Sequence, residues 1–161
     1  METRIERLAY IEIHMALQDL NSEFCYHLDN GNIDELVDLF CEDALYSHGD
    51  RVSRGTAEIR KLFQARGSAV VRTSRHMQTG LRLNIESALR ATGSSVCMTF
   101  AANASPPVSP AIPFLIADFI DEYKYCRDGR WRILKRHIER IFTASDNTGP
   151  IGTETFGRQQ Q

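Results

Sequence analysis

Two hydrophobic periods divide the chain, and the change falls near Arg75. Ahead of it, apolar residues return every three or four positions, the spacing of one helix face. Ile13, Leu17, Leu20, Phe24 and Leu28 make such a stripe and predict a helix over residues 4–29, with Glu12, Asp19 and Glu23 largely off it. Gly31 ends that helix, and Asn32 with Glu35 has the spacing of a capping box. The short second helix so started buries Ile33, Leu36, Val37 and Phe40. A short strand is expected at Ala44–Ser47, ahead of the polar turn His48-Gly49-Asp50. Thr56 is placed to cap a third helix with Ile59, Leu62 and Phe63 inward and Gly67 as its stop.

Beyond Arg75 the period becomes two. Leu81, Leu83 and Ile85 alternate with polar residues as in a half-buried strand. His76 and Gln78 have the opposite parity, which a bulge near Gly80 would change. A further strand is expected over residues 88–102, with Val96, Met98 and Phe100 on one face. Four prolines keep residues 103–113 out of any central ladder, and this stiff loop suits a lid or an oligomer contact. The long stretch from Ala111 to Phe142 reads as an antiparallel hairpin with arms of about a dozen residues, turning at Asp128-Gly129. Arg132, Arg136 and Arg140 share one alternating parity on its second arm, either facing solvent or lining a polar site.

Helices first and a meander of strands afterwards is an α+β order. The expectation is a cone-shaped α+β barrel, in which N-terminal helices cover a strongly curved antiparallel sheet and leave a small-molecule pocket between the layers. One domain over residues 1–144 and a loosely held tail over residues 145–161 complete it.

Composition narrows the function classes. The 161 residues are 42% hydrophobic and 25% charged with a net charge of −2, which carries no broad basic footprint for nucleic acid. No apolar run approaches bilayer length, and the amphipathic start has no signal-peptide core. The cysteines at 25, 41, 97 and 126 share no short paired spacing and read as reduced thiols of a cytoplasmic protein. The histidines at 14, 27, 48, 76 and 137 show no compact ligand spacing, so no metal or organic cofactor is expected.

Candidate chemistry rests on Asp29, His76 and Arg136, with Phe24, Tyr26, Tyr46 and Tyr123 as aromatic walls. Asp29 has an ordinary reading as a turn residue in Asp-Asn-Gly, and His76 as a half-exposed strand residue. Paired, they make a base: a carboxylate fixes the imidazole tautomer and leaves one nitrogen for a substrate.

The run ERLAYIEIHMALQDLNSEFCYHLDNGNIDELVDLFCEDALYS, then GTAEIRKLF, RHMQTGLRL and FIDEYKYCRDGRWRILKR, resembles the nuclear-transport-factor-2-like superfamily. The resemblance spans residues 4 to about 143 and is to the SnoaL-like branch, which includes scytalone dehydratase, bile-acid dehydratase and lindane dehydrochlorinase. It implies a cofactor-independent lyase or isomerase for a small, mostly apolar cyclic compound, in a homodimer or homotrimer. The branch also implies an alternative, a noncatalytic ligand-binding protein or one like a dioxygenase β subunit. The family's aspartate falls on Asp29 and its general-base histidine on His76. Its anion-stabilising arginine falls on Arg136 in one pattern and on Arg140 in another. Phe24 stands where the scytalone-dehydratase pattern has a tyrosine, with Tyr26 and Tyr46 as substitutes from other directions.

Overall fold

A computed structural model describes residues 4–67 and 71–144. The expected tail, residues 145–161, lies outside the described residues. The elements run α1 (Arg4–Asn30), α2 (Ile33–Asp38), β1 (Phe40–His48), β2 (Arg51–Arg54), α3 (Gly55–Gly67), β3 (Thr73–Ser87), β4 (Arg90–Ala102), β5 (Leu115–Tyr125) and β6 (Trp131–Thr143).

The stripe on α1 buries as its spacing requires. Leu17, Leu20 and Phe24 are core residues, with Ile13 and Leu28 packed against them. Gly31 takes φ 71° just past the helix, and the Asn32 amide donates back to the His27 carbonyl at 3.1 Å. This is a left-handed helix stop that glycine adopts without a Cβ penalty. The capping box does not form: Asn32 makes no side-chain cap, and its amide instead meets His27 Nδ1 at 3.3 Å. Phe40 opens β1 rather than completing α2, and α3 starts at Gly55, one residue before Thr56.

The six strands form one sheet in the order β2-β1-β6-β5-β4-β3. This corrects the expected cone-shaped antiparallel barrel. β1 runs parallel to β6, so the sheet is mixed, and β2 and β3 are its two free edges, so it is open. The physical reason is α3, which carries the chain from β2 at one edge to β3 at the other without pairing the two. The helices cover one face, as expected of α+β packing.

Two bulges decide which side chains face the helices. On β3, Thr79 pairs with Val96 and Arg82 with Ser94, so Gly80 and Leu81 stand opposite one residue. Gly80, at φ 66°, absorbs the kink. His76 and Gln78 before the bulge and Leu83 and Ile85 after it thereby share the inner face. On β6, Tyr123 pairs with Ile133 but Glu122 with Lys135, leaving Leu134 as the extra residue. The expected single arginine face is therefore broken: Arg132 forms exposed contacts with Asp38 and Asp128, whereas Arg136 is completely buried.

Phe24 lies at the centre of the core, edge-on to Phe40, Phe63 and Phe119 at 6.0–6.3 Å between ring centroids. On β4 the inner positions are small or polar, Ala91, Ser95, Cys97 and Thr99, and Val96, Met98 and Phe100 take the outer face. Among the described residues no helix is long and apolar enough to cross a membrane.

Candidate active site

α1 packs along β3, and this brings Asp29 at the end of the helix onto His76 in the strand. Asp29 Oδ1 lies 2.6 Å from His76 Nδ1, and Asp29 Oδ2 accepts the His76 backbone N–H at 2.8 Å. The Ser74 hydroxyl donates to Oδ1 at 2.7 Å. A helix C-terminus is a poor place for a carboxylate, and these donors compensate. Burial opposes the charge of Asp29, but the imidazole and the Ser74 and His76 donors outweigh it, so the carboxyl lies below its ordinary range. The ionised carboxylate only accepts, so Nδ1 carries the proton and Nε2 is the basic nitrogen. Both side chains are over nine-tenths buried.

Space opens beside this pair. A cavity of about 230 Å³ is lined by Leu28, Asp29, Phe63, Arg66, Ser74 and His76, among others. A smaller inner cavity of about 40 Å³ shares Leu28, Arg66 and His76 and is walled by Phe24, Tyr46, Phe114 and Phe119. The proline-rich loop thus contributes Phe114 at its end to the inner wall. The inner space matches about one water, whose share of liquid volume is ~30 Å³, while the outer one admits a single small ring.

Among the described residues, a second polar cluster lies deeper and lines neither cavity. Arg136 Nε and Nη2 donate to Asp121 Oδ1 and Oδ2 at 2.8 and 2.7 Å, a bidentate pair with no exposed side-chain surface. Nη2 also meets Asn21 Oδ1. The Tyr123 hydroxyl donates to Asp121 Oδ2 at 2.7 Å and accepts from Asn21 Nδ2 at 2.9 Å. The guanidinium carbon lies 4.3 Å from the Phe24 centroid and 4.6 Å from that of Phe119, the rings that wall the inner cavity. Burial disfavours the arginine's charge, yet Asp121 more than restores it and its pKa is raised. Burial pushes the Tyr123 phenol up.

The structure therefore sets Asp29 on the outer cavity, Phe24 and Tyr46 on the inner one and His76 on both, and holds Arg136 with Tyr123 behind Phe24. Tyr26 is 58% exposed and borders an open outer cleft that also touches Asp29 and His76. Arg140 Nε donates to His48 Nε2 at 2.8 Å, and it is His48 that reaches the inner cavity. Burial and the charge of Arg140 lower the His48 pKa to about 4, so the ring is neutral near neutrality.

Sequence reasoning missed His48, Arg66 and Arg72 as lining residues. His48 stands two residues beyond Tyr46 on β1, so strand alternation was the available signal. Arg66 stands at the next helical step after Ile59, Leu62 and Phe63, so the α3 period was its signal, whereas Arg72 precedes β3, where periodicity gives no direction. Among the described residues no three His, Cys, Asp or Glu side chains gather as a metal site.

The structure is of the α+β class, a mixed sheet covered on one face by helices, with a buried Asp–His pair beside a small cavity. Within that class the chain belongs to the SnoaL-like domain family, whose model matches residues 9–137. Its structure is similar to that of a protein from Novosphingobium aromaticivorans provisionally named a scytalone dehydratase. That match has a TM-score of 0.74 and 22% identity over 91% of this chain and 97% of that one. LinA matches with a TM-score of 0.72 and 23% identity over 94% and 97% of the two chains. A protein of the same Novosphingobium species provisionally named an aromatic ring hydroxylase matches at 0.71 and 20%, over 82% and 91%. Identities this low establish shared fold and not shared reaction. Among curated proteins none matches the chain.

Proposed function

We propose that the protein is a cofactor-independent lyase of dehydratase type, or an isomerase, acting on a small, mostly apolar cyclic compound. The observation that carries this reading is the 2.6 Å contact of Asp29 with His76 at the edge of a cavity. His76 Nε2 takes a proton from a carbon beside a carbonyl, and the C–H electron pair becomes an enolate. As the enolate collapses, the neighbouring C–O bond breaks, and the departing hydroxide takes the imidazolium proton and leaves as water. Returning that proton to a different carbon gives isomerisation instead. Neither route needs a redox group.

Asp29 holds the tautomer and offsets the imidazolium charge. Leu28 and Phe63 bound the ring of the substrate in the outer cavity, Phe24, Tyr46 and Phe119 wall the water-sized space behind it, and Tyr26 borders the outer approach. Arg136 is committed to Asp121 and is assigned a positioning role, holding the Phe24 and Phe119 walls, while Arg140 acts on the cavity through His48.

The test is turnover of cyclic β-hydroxy ketones, hydroxysteroids and halogenated rings by wild type, D29A, H76A and R136A. Single rings should be preferred, given about 230 Å³. Removal of a general base typically costs ~10²–10⁴-fold in rate. Turnover that survives H76A within a few-fold contradicts the mechanism.

A noncatalytic ligand-binding role is the second reading, since a buried Asp29–His76 contact beside a cavity also serves as a satisfied polar pair in a binding site. It expects tight binding of such rings without turnover. We propose in addition that the protein self-associates as a dimer or trimer through the sheet face away from the helices. Met77, Met98, Ile116 and Phe142 lie in one cross-strand row on the sheet face away from the helices, with Met77 51% and Phe142 65% exposed. A monomer in sedimentation at micromolar concentration contradicts that assembly.

A further inference from the structure

Arg66 and Arg72 both line the 230 Å³ cavity with Asp29 and His76. Arg66 lies in the last turn of α3, where a cation ordinarily offsets the helix dipole. That accounts for Arg66 alone. Arg72 precedes β3, and both its Nη atoms are buried without a hydrogen-bond partner among the described residues. Buried guanidinium nitrogens left in this state are costly, and native proteins seldom keep them without a ligand or water. Asp29, the one carboxylate of the lining, is already occupied by the Ser74 hydroxyl and by two groups of His76.

The charge count points the same way. Two arginines against one aspartate leave the lining with one net positive charge while the imidazole is neutral, and with two once His76 takes a proton. Burial and the neighbouring Arg66 lower the Arg72 pKa to about 10, so it remains a cation near neutrality and is held beside a like charge. Arg136 also keeps one buried Nη1 without a partner, but its charge is already neutralised by Asp121 and it lines neither cavity.

We propose that Arg66 and Arg72 form an oxyanion-binding subsite, so that the substrate carries a carboxylate or phosphate group on its ring. This rests on the reading of the His76 cavity as the substrate site. Each arginine offers planar N–H donors suited to bidentate capture of such a group. An anionic substituent held there places the ring against Leu28 and Phe63, with His76 on the same wall.

The test is calorimetric titration of the full-length protein with benzoate, phenyl phosphate and the neutral isostere benzamide at millimolar concentration. Benzoate or phenyl phosphate should bind about tenfold or more tightly than benzamide, and the tighter of the two identifies the group. R66Q and R72Q should each remove most of that preference, and R72K should keep part of it. The wild-type comparison alone suffices where a variant fails to fold. Equal binding of benzoate and benzamide, no binding of either anion, or a preference unchanged in the R66Q/R72Q double variant would overturn the subsite. These probes are not turned over, so absence of H76A-sensitive turnover counts against the catalytic reading and leaves this result standing.

Discussion

The protein contains two buried pairings of a carboxylate with a nitrogen base, and they are built to different ends. Asp121 and Arg136 are joined by two parallel hydrogen bonds, closed in by Asn21, Tyr123 and two phenyl rings, and show no exposed side-chain surface. Asp29 and His76 are almost as buried, yet they border a cavity and present one ring nitrogen free of the carboxylate. Closure makes the first pair a strut. The open space makes the second pair available for chemistry. Burial of an ion pair is thus poor evidence of catalysis by itself, and the neighbouring space is what separates the two.

The largest expected effect breaks the closed pair. D121A leaves Arg136 buried and unpaired and should cost about 3–5 kcal/mol in urea unfolding. D29A should cost less, about 1–3 kcal/mol, because water can enter the cavity beside His76. Equal losses in the two variants would erase the contrast. Replacing both partners as D121L/R136M should restore most of the D121A loss, since removing a whole buried pair is often close to neutral. Recovery of less than half would mean that the guanidinium contributes more through Phe24 and Phe119 than through Asp121.

Smaller changes sharpen the picture. Y123F removes the phenol's bond to Asp121 and one acceptor of Asn21, for about 1 kcal/mol in the same assay. The pH profile should separate two windows. His48 has a folded pKa near 4, below its ordinary value of 6.5, so the unfolded chain takes up the proton first. Its contribution is complete above about pH 6.5 and declines as the pH falls toward 4. H48Q, which still accepts from Arg140, should flatten that decline. Asp29, lowered from 3.8, keeps its contribution until the pH falls below that value. A melting profile that is flat from pH 7 to about 4 in wild type would contradict the placement of His48.

The parts of this arrangement that were legible in the sequence are those set by local pattern. The α1 stripe, the long β5–β6 hairpin with its turn at Gly129, and the bulge at Gly80 follow from spacing and from one residue type. The bulge at Leu134 has no glycine to announce it, and so Arg132 and Arg136 were placed on one face when they occupy two. Strand partners leave no trace in alternation either: nothing in Phe40–His48 says that it pairs parallel with β6. The meeting of Asp29 with His76, 47 residues apart, was an expectation of family resemblance rather than of periodicity. Arg66 continues the inward face of α3 but reads as an ordinary C-terminal cation, and Arg72 precedes β3, where no period gives its side chain a direction.

The central claim is that catalysis belongs to the open pair, and kcat/KM of H76A on a substrate accepted by wild type, read beside its unfolding free energy, tests it most directly. The account predicts a loss of ~10²–10⁴-fold in a protein that remains folded in the same buffer. Turnover within a few-fold of wild type in folded H76A would contradict it.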